Sequence, residues 1–171
     1  TEWTVALDAD VGQTSIANLL PLWPVSIASK TRDWLAENLT AANLPKADLA
    51  FRLQGDSAPR FAMTLPFEDA ALRFMKTMPP IENAAGYVSL ADGALTVMAD
   101  AGTVQASKGG RLDVSGTSFQ LPELGGKFPR AEVDLQTNGT VTATLAILDV
   151  DPLNFISKAN QPLDVVDGRL K

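Results

Sequence analysis

Strict period-two alternation of apolar and polar residues runs along most of this chain, and it confines the fold to one built from two-faced strands. Ala47, Leu49, Phe51 and Leu53 alternate with Asp48, Ala50, Arg52 and Gln54. Phe61, Met63, Leu65 and Phe67 alternate with Ala62, Thr64, Pro66 and Glu68. Shorter runs carry Val88/Leu90, Leu95/Val97, Leu112/Val114, Val133/Leu135 and Val141/Ala143/Leu145/Ile147. Successive strand side chains point to opposite faces, so each run offers one apolar side and one polar side. Asp92-Gly93, Gly109-Gly110 and Asn138-Gly139 lie between runs, and such pairs accept the positive φ of tight hairpins. The expected fold is mainly β, of α+β type: a curved antiparallel sheet of repeated strand–short helix–strand units, either an open groove or a half-closed sandwich.

Two or three short helices are expected to interrupt the sheet. The spacing of Ile27, Thr31, Trp34, Leu35, Leu39 and Ala42 behind polar caps at Ser29 and Thr31 predicts a helix over 29–42. A second is expected from Asp69, as N-cap, to about Met78, stopped by Pro79-Pro80. A third opens at Asp151-Pro152 and runs towards Lys158. Two of these helices belong to an apparent internal repeat. Pro45-Lys46-Ala47-Asp48-Leu49 is echoed by Pro129-Arg130-Ala131-Glu132-Val133, and Asp69 to Phe74 by Asp151 to Phe155. Pro80-Ile81 and Gly86 are echoed by Pro162-Leu163 and Gly168 at a near-constant offset. Read this way, 1–44 is a partial first repeat, 45–128 a central one and 129–171 a partial third, in one elongated domain truncated at both ends.

Composition removes most chemistry. With no cysteine and no histidine among 171 residues, disulfides, thiolate metal sites, Ser-His-Asp triads and imidazole acid/base catalysis are all excluded. The net charge of −6 and the scattered Lys and Arg exclude a nucleic-acid surface. Asp8-Ala9-Asp10 and Asp149-Val150-Asp151 have metal-like spacing but no further oxygen ligands nearby, so no metal and no cofactor is expected. Glu68-Asp69 reads as a strand end and a helix cap rather than an acid/base pair, and Tyr87 as packing. Asn38 and Asn138 sit in glycosylation sequons that read as coincidence, inside a helix and a tight turn. Gly109-Gly110 and Gly125-Gly126 lack the Lys-Ser/Thr of a phosphate loop. The Trp23/Trp34 pair reads as a staple fixing a helix on the sheet. No enzyme is expected. The most apolar stretch, 19–28, is too short to span a bilayer and contains Pro21 and Pro24. No signal peptide is visible, and the chain reads as a piece cut from a longer protein.

Leu22-Trp23-Pro24, then Lys30 to Leu39, then Met78-Pro79-Pro80-Ile81-Glu82-Asn83-Ala84-Ala85-Gly86 resemble the AsmA-like superfamily of Gram-negative envelope proteins, with YhdP-type members nearest and TamB more distant. The likeness implies a periplasmic protein held at the inner membrane by a helix outside this sequence. It further implies stacked repeats whose curved sheet forms a hydrophobic groove for phospholipid. Such bridges hold many repeats, where this chain has about two.

The alternating runs offer more apolar sheet surface than three short helices hide, because a helix about 10 Å wide shields two or three strands. Together with the resemblance, this surplus nominates a groove for acyl chains. Its expected lining is Leu49, Phe51, Leu53, Phe61, Met63, Leu65, Phe67, Leu95, Val97, Val133, Leu135, Leu145 and Ile147. The expected partners are phospholipid and the remaining repeats of the same chain. The alternative is a closed β-rich interaction module, in which these residues form a core and function lies on the loops 102–110 or 116–127.

Overall fold

The computed structural model describes residues 3–22, 29–57, 59–73, 75–123, 130–160 and 168–170. In chain order the elements are β1 (Thr4–Val11), β2 (Thr14–Ser15), α1 (Ile16–Leu19), a 3₁₀ turn (Leu20–Leu22), α2 (Ser29–Asn38), β3 (Leu39–Leu44), β4 (Ala47–Gln54), β5 (Arg60–Leu72), β6 (Ile81–Ala91) and β7 (Ala94–Gln105). There follow β8 (Arg111–Asp113), β9 (Ser118–Leu121), β10 (Glu132–Asp134), β11 (Gly139–Thr140), α3 (Val141–Leu148), α4 (Phe155–Lys158) and β12 (Arg169–Leu170). The molecule is mainly β, an open antiparallel sheet with short helices on one end.

Ten strands form the main sheet, in the order β1-β4-β5-β6-β7-β9-β10, with β3 bridging β2 and β5 and with β8 beside β7. Every pairing is antiparallel. The expected hairpins at Asp92-Gly93 and Gly109-Gly110 form, with positive φ at all four residues. Asn138-Gly139 does not close a hairpin: Asn138 bridges to Asp113, and the chain passes through β11 into α3.

The three central strands each carry an extra residue at one level of the sheet. Glu68 and Asp69 oppose Ala85 across β5–β6, Asn83 is inserted in β6, and Asp100 is inserted in β7. Asp69 and Asn83 adopt left-handed backbone (φ 49° and 51°), a region Asp and Asn tolerate better than other side chains. Each insertion reverses the parity of its strand. The apolar positions follow, from 63, 65 and 67 to 70 and 72 in β5, and from 95, 97 and 99 to 102 and 104 in β7, with Ala106 just past the strand. Apolar residues therefore stay on one face along the whole strand.

Beyond this line of bulges the face is covered. Helix α1 brings Ile16 onto Ala42, Ala70 and Ala84, with Leu19, Leu20, Leu39 and Phe67 at the margin. Helix α3 lays Ala143, Ala146 and Ile147 on Val104, Ala106, Leu112 and Val114, and Ile81 touches both clusters. Thr140 caps α3 by accepting a bond from the Ala143 amide (3.1 Å), and its hydroxyl donates to the Gly109 carbonyl (2.8 Å). Asp149, after the last turn of α3, accepts from the Ser157 amide and hydroxyl (2.6 and 2.7 Å), fastening α4.

Several expected elements are corrected. The helix expected over 29–42 ends at Asn38, whose side-chain amide donates to the Trp34 carbonyl (2.9 Å), and 39–44 turns into β3 with Ala42 and Leu44 buried. Among the described residues of 69–78 no helix forms: Asp69 is a bulge residue rather than an N-cap, β5 runs on to Leu72, and 75–78 form a turn. The run Val141–Ile147, expected as a strand, is α3, because Ala143, Ala146 and Ile147 share a helical face that fits onto Leu112. The helix expected from Asp151 begins only at Phe155, after a turn containing Pro152. The matched segments beginning at Asp69 and Asp151 thus take different structures. Trp23-Pro24, Phe74, Pro129, 124–127 and Pro162-Leu163 lie outside the described residues.

Candidate functional site: an uncovered apolar face

On the other side of the bulge line, the pairing register aligns apolar side chains in rows that cross the sheet. One row reads Ala9, Leu49, Met63, Leu90, Leu95, Leu121, each directly opposite the next. The adjacent row reads Leu65, Val88, Val97, Phe119, Val133. A third joins Leu7, Phe51 and Phe61, and Val5 pairs with Leu53 beside it. Opposed side chains of this kind lie about 4.5–5.5 Å apart at Cβ, so the rows form an unbroken aliphatic and aromatic surface.

Among the described residues, the helices pack mainly beyond the bulge line, with Phe67 at the border. Their principal contacts are with β2, β3, β8 and β11. Leu7 remains 58% exposed, Phe61 43% and Val133 54%, and most other row residues are half-buried by their neighbours in the sheet. Leu65, 8% exposed, is the most enclosed member of the expected lining on the sheet. At the bulge line Phe67 lies over Gly86, where a Cβ would stand 3.0 Å from the ring and 1.9 Å from the Met98 carbonyl oxygen. That glycine permits the close backbone approach at the border between covered and uncovered halves.

The opposite face is polar. Arg52 pairs with Asp8 (2.7 Å), Arg60 with Asp92 (2.7 Å) and Lys46 with Asp48 (2.8 Å). The Asp48 carboxylate raises the Lys46 pKa, and Lys46 in turn lowers that of Asp48. Hydrogen bonds from Ser115 hold Asp113 below the usual carboxylate range, and those from Ser157 do the same for Asp149. Each of these shifts strengthens the ionised form, the reverse of what a proton-shuttling group needs at neutral pH. A depression of about 260 Å³ lies at the β9–β10 margin, lined by Ser118, Gln120, Glu132, Val133 and Asp134, away from the centre of the rows. Among the described residues, no cluster of three or more acidic side chains is placed to hold a metal ion, and no helix is long and apolar enough to cross a membrane.

The sheet gathers Leu49, Phe51, Leu53, Phe61, Met63, Leu65, Phe67, Leu95, Val97 and Val133 on one face, and Leu135 follows β10, exposed. Leu145 and Ile147 are not part of it: they sit on α3, where Ile147 packs under the helix. Residues not anticipated in the lining are Val5, Leu7, Ala9, Val88, Leu90, Phe119 and Leu121. Their alternation was present in the sequence, but in β1 it is diluted by alanine, and in β9 it spans only four residues. Of the loop candidates, 102–105 belongs to β7. Trp34 is exposed on α2, and Tyr87 lies on the polar face of β6. Asn38 is buried at the end of α2, which removes it as a surface sequon.

No family model matches the chain, and neither a curated protein nor a solved structure matches it significantly.

Proposed function

We propose that this chain is a non-catalytic segment of an AsmA-like envelope protein, in which the uncovered apolar rows solvate the acyl chains of phospholipid. The rows supply the floor of a lane that runs across the strands, and α1 and α3, standing on the same face, supply its wall. Head groups would project past the edge of the floor into water, so no chemistry at the lipid is required. The protein would lie in the periplasm, anchored at the inner membrane by a segment outside this sequence, with further repeats extending the lane.

The observation that carries this reading is the exposure of Leu7, Phe61 and Val133 in rows where every neighbour is apolar. A contiguous apolar surface of this extent is unusual on a protein that meets only water, and it marks a lipid or interaction site. The closed-module alternative needs the same rows enclosed.

The test places a photo-reactive amino acid at Val97, Leu95 or Phe61, and at Thr96 or Thr64 on the other face as controls. After incubation with phosphatidylethanolamine/phosphatidylglycerol vesicles, the row positions should cross-link lipid and the controls should not. Phe61→Asp should reduce cross-linking at Val97. Equal labelling on both faces, or none on either, overturns the proposal.

A further inference from the structure

The central strand pair carries a gradient of side-chain size along the uncovered face. On β6 the residues of that face run Leu90, Val88, Gly86, and their direct partners on β7 run Leu95, Val97, Ala99. From the Asp92-Gly93 hairpin towards the bulge line, the floor thus steps down from leucine to valine to glycine and alanine. The intervening Ser89, Tyr87, Thr96 and Met98 belong to the other face, so no polar side chain of either strand interrupts the slope. Phe67 stands at its low end. The ring lies over Gly86, 3.0 Å from where a Cβ would stand, and the residue also packs at the margin of the cluster that α1 forms with Ala42, Ala70 and Ala84. From Ala91 to Gly86 the strand covers about 17 Å. The acyl chains of one bilayer leaflet fill a layer about 15 Å deep, half of the hydrocarbon core.

We infer that Phe67 is the end-stop of an acyl-chain seat on β6 and β7, and so selects chain length. The chain lies along the two strands, with its polar end at the Asp92-Gly93 hairpin and its methyl end against the Phe67 ring. This rests on the lipid reading above and adds a length limit to it. Each chain points along the strands, while the lane along which lipids would pass runs across them. The polar end then meets water at the hairpin, where Arg60 and Asp92 are both exposed, and the methyl end meets only apolar side chains. Leucine in place of Ala99 would raise the floor where it is lowest, and alanine in place of Phe67 would remove the stop.

The test titrates the 171-residue chain calorimetrically with lysophosphatidylethanolamines of decanoyl, dodecanoyl, tetradecanoyl, hexadecanoyl and octadecanoyl chains, each below its micelle concentration. Affinity should rise about fourfold per methylene laid on the floor, and level off once the methyl end meets the ring. Phe67→Ala should move that plateau to longer chains and Ala99→Leu to shorter ones. Leu7→Ala, on β1 and away from the seat, should leave it in place. A wild-type affinity that climbs through octadecanoyl without a plateau overturns the inference and leaves the lipid reading standing. So does a plateau that either folded variant fails to move. Binding of none of the five lipids overturns both. Circular dichroism checks the fold of each variant, and if Phe67→Ala unfolds, Ala99→Leu and the wild-type series decide the matter.

Discussion

Truncating one leucine should separate the two halves of this sheet energetically. Leu112 is 0% exposed and is the largest fully buried side chain among the described residues, held among Val104, Ala106, Val114, Ala143, Ala146 and Ile147. Its Cδ2 lies only 2.5 Å from where a Cβ on Gly139 would stand, so the backbone behind it is already close. The alanines in contact with it are too short to fill a void. Leu112→Ala should therefore cost about 3–5 kcal/mol, the upper part of the range for buried leucines. Phe61 is 43% exposed, and burying a whole phenylalanine is worth roughly 1.5–3 kcal/mol, so Phe61→Ala should cost about 1 kcal/mol. Domains are typically stable by about 5–15 kcal/mol, which leaves the first variant measurable and the second close to wild type. Urea unfolding followed by circular dichroism reads both, with the m-value checked for constancy. Equal losses at the two positions would mean that the apolar rows are enclosed like a core, and the open-face reading would fail.

Gly86→Ala should destabilise by about 1–3 kcal/mol, since the new methyl meets the Met98 carbonyl and the Phe67 ring, while Gly12→Ala, with open space around it, should change stability by less than about 0.5 kcal/mol. Thr140→Ala removes the cap of α3 and the bond to Gly109, and thermal or urea unfolding should register a loss of about 1 kcal/mol. Asp149 should titrate below ordinary aspartates by NMR, because the Ser157 hydroxyl and amide stabilise its carboxylate. Its contribution to stability is present above the unfolded value of about 3.9 and disappears as pH falls through the lower folded value. Ser157→Ala should move that titration upward, and an unchanged midpoint would refute the assignment.

The long strands were legible because a two-residue period needs only burial on one side, and β4, β5, β6 and β7 have it. Two segments misled for opposite reasons. Around Asp69 an inserted residue shifts the apolar parity from Phe67 to Ala70 and Leu72, and the three-residue step imitates one turn of helix. In 141–148 the alternation of Val, Ala, Leu and Ile imitates a strand, while packing selects the helical set Ala143, Ala146 and Ile147. Local pattern cannot distinguish these cases, because the deciding contacts with β6 and β8 come from residues tens of positions away. The apolar face itself was foreseeable as a surplus of greasy surface. Its alignment into rows was not, since that depends on the register between strands.

The aligned bulges at Asp69, Asn83 and Asp100 also act as a latch on strand alignment. A one-position slip of β5 against β6 would carry every oily side chain of that strand to the wet side. It would also drag one inserted residue past its neighbours, out of step with the other two. Deleting Asp69 should accordingly do more harm than losing a single contact would suggest, by setting the two ends of β5 in conflict over which way is inward.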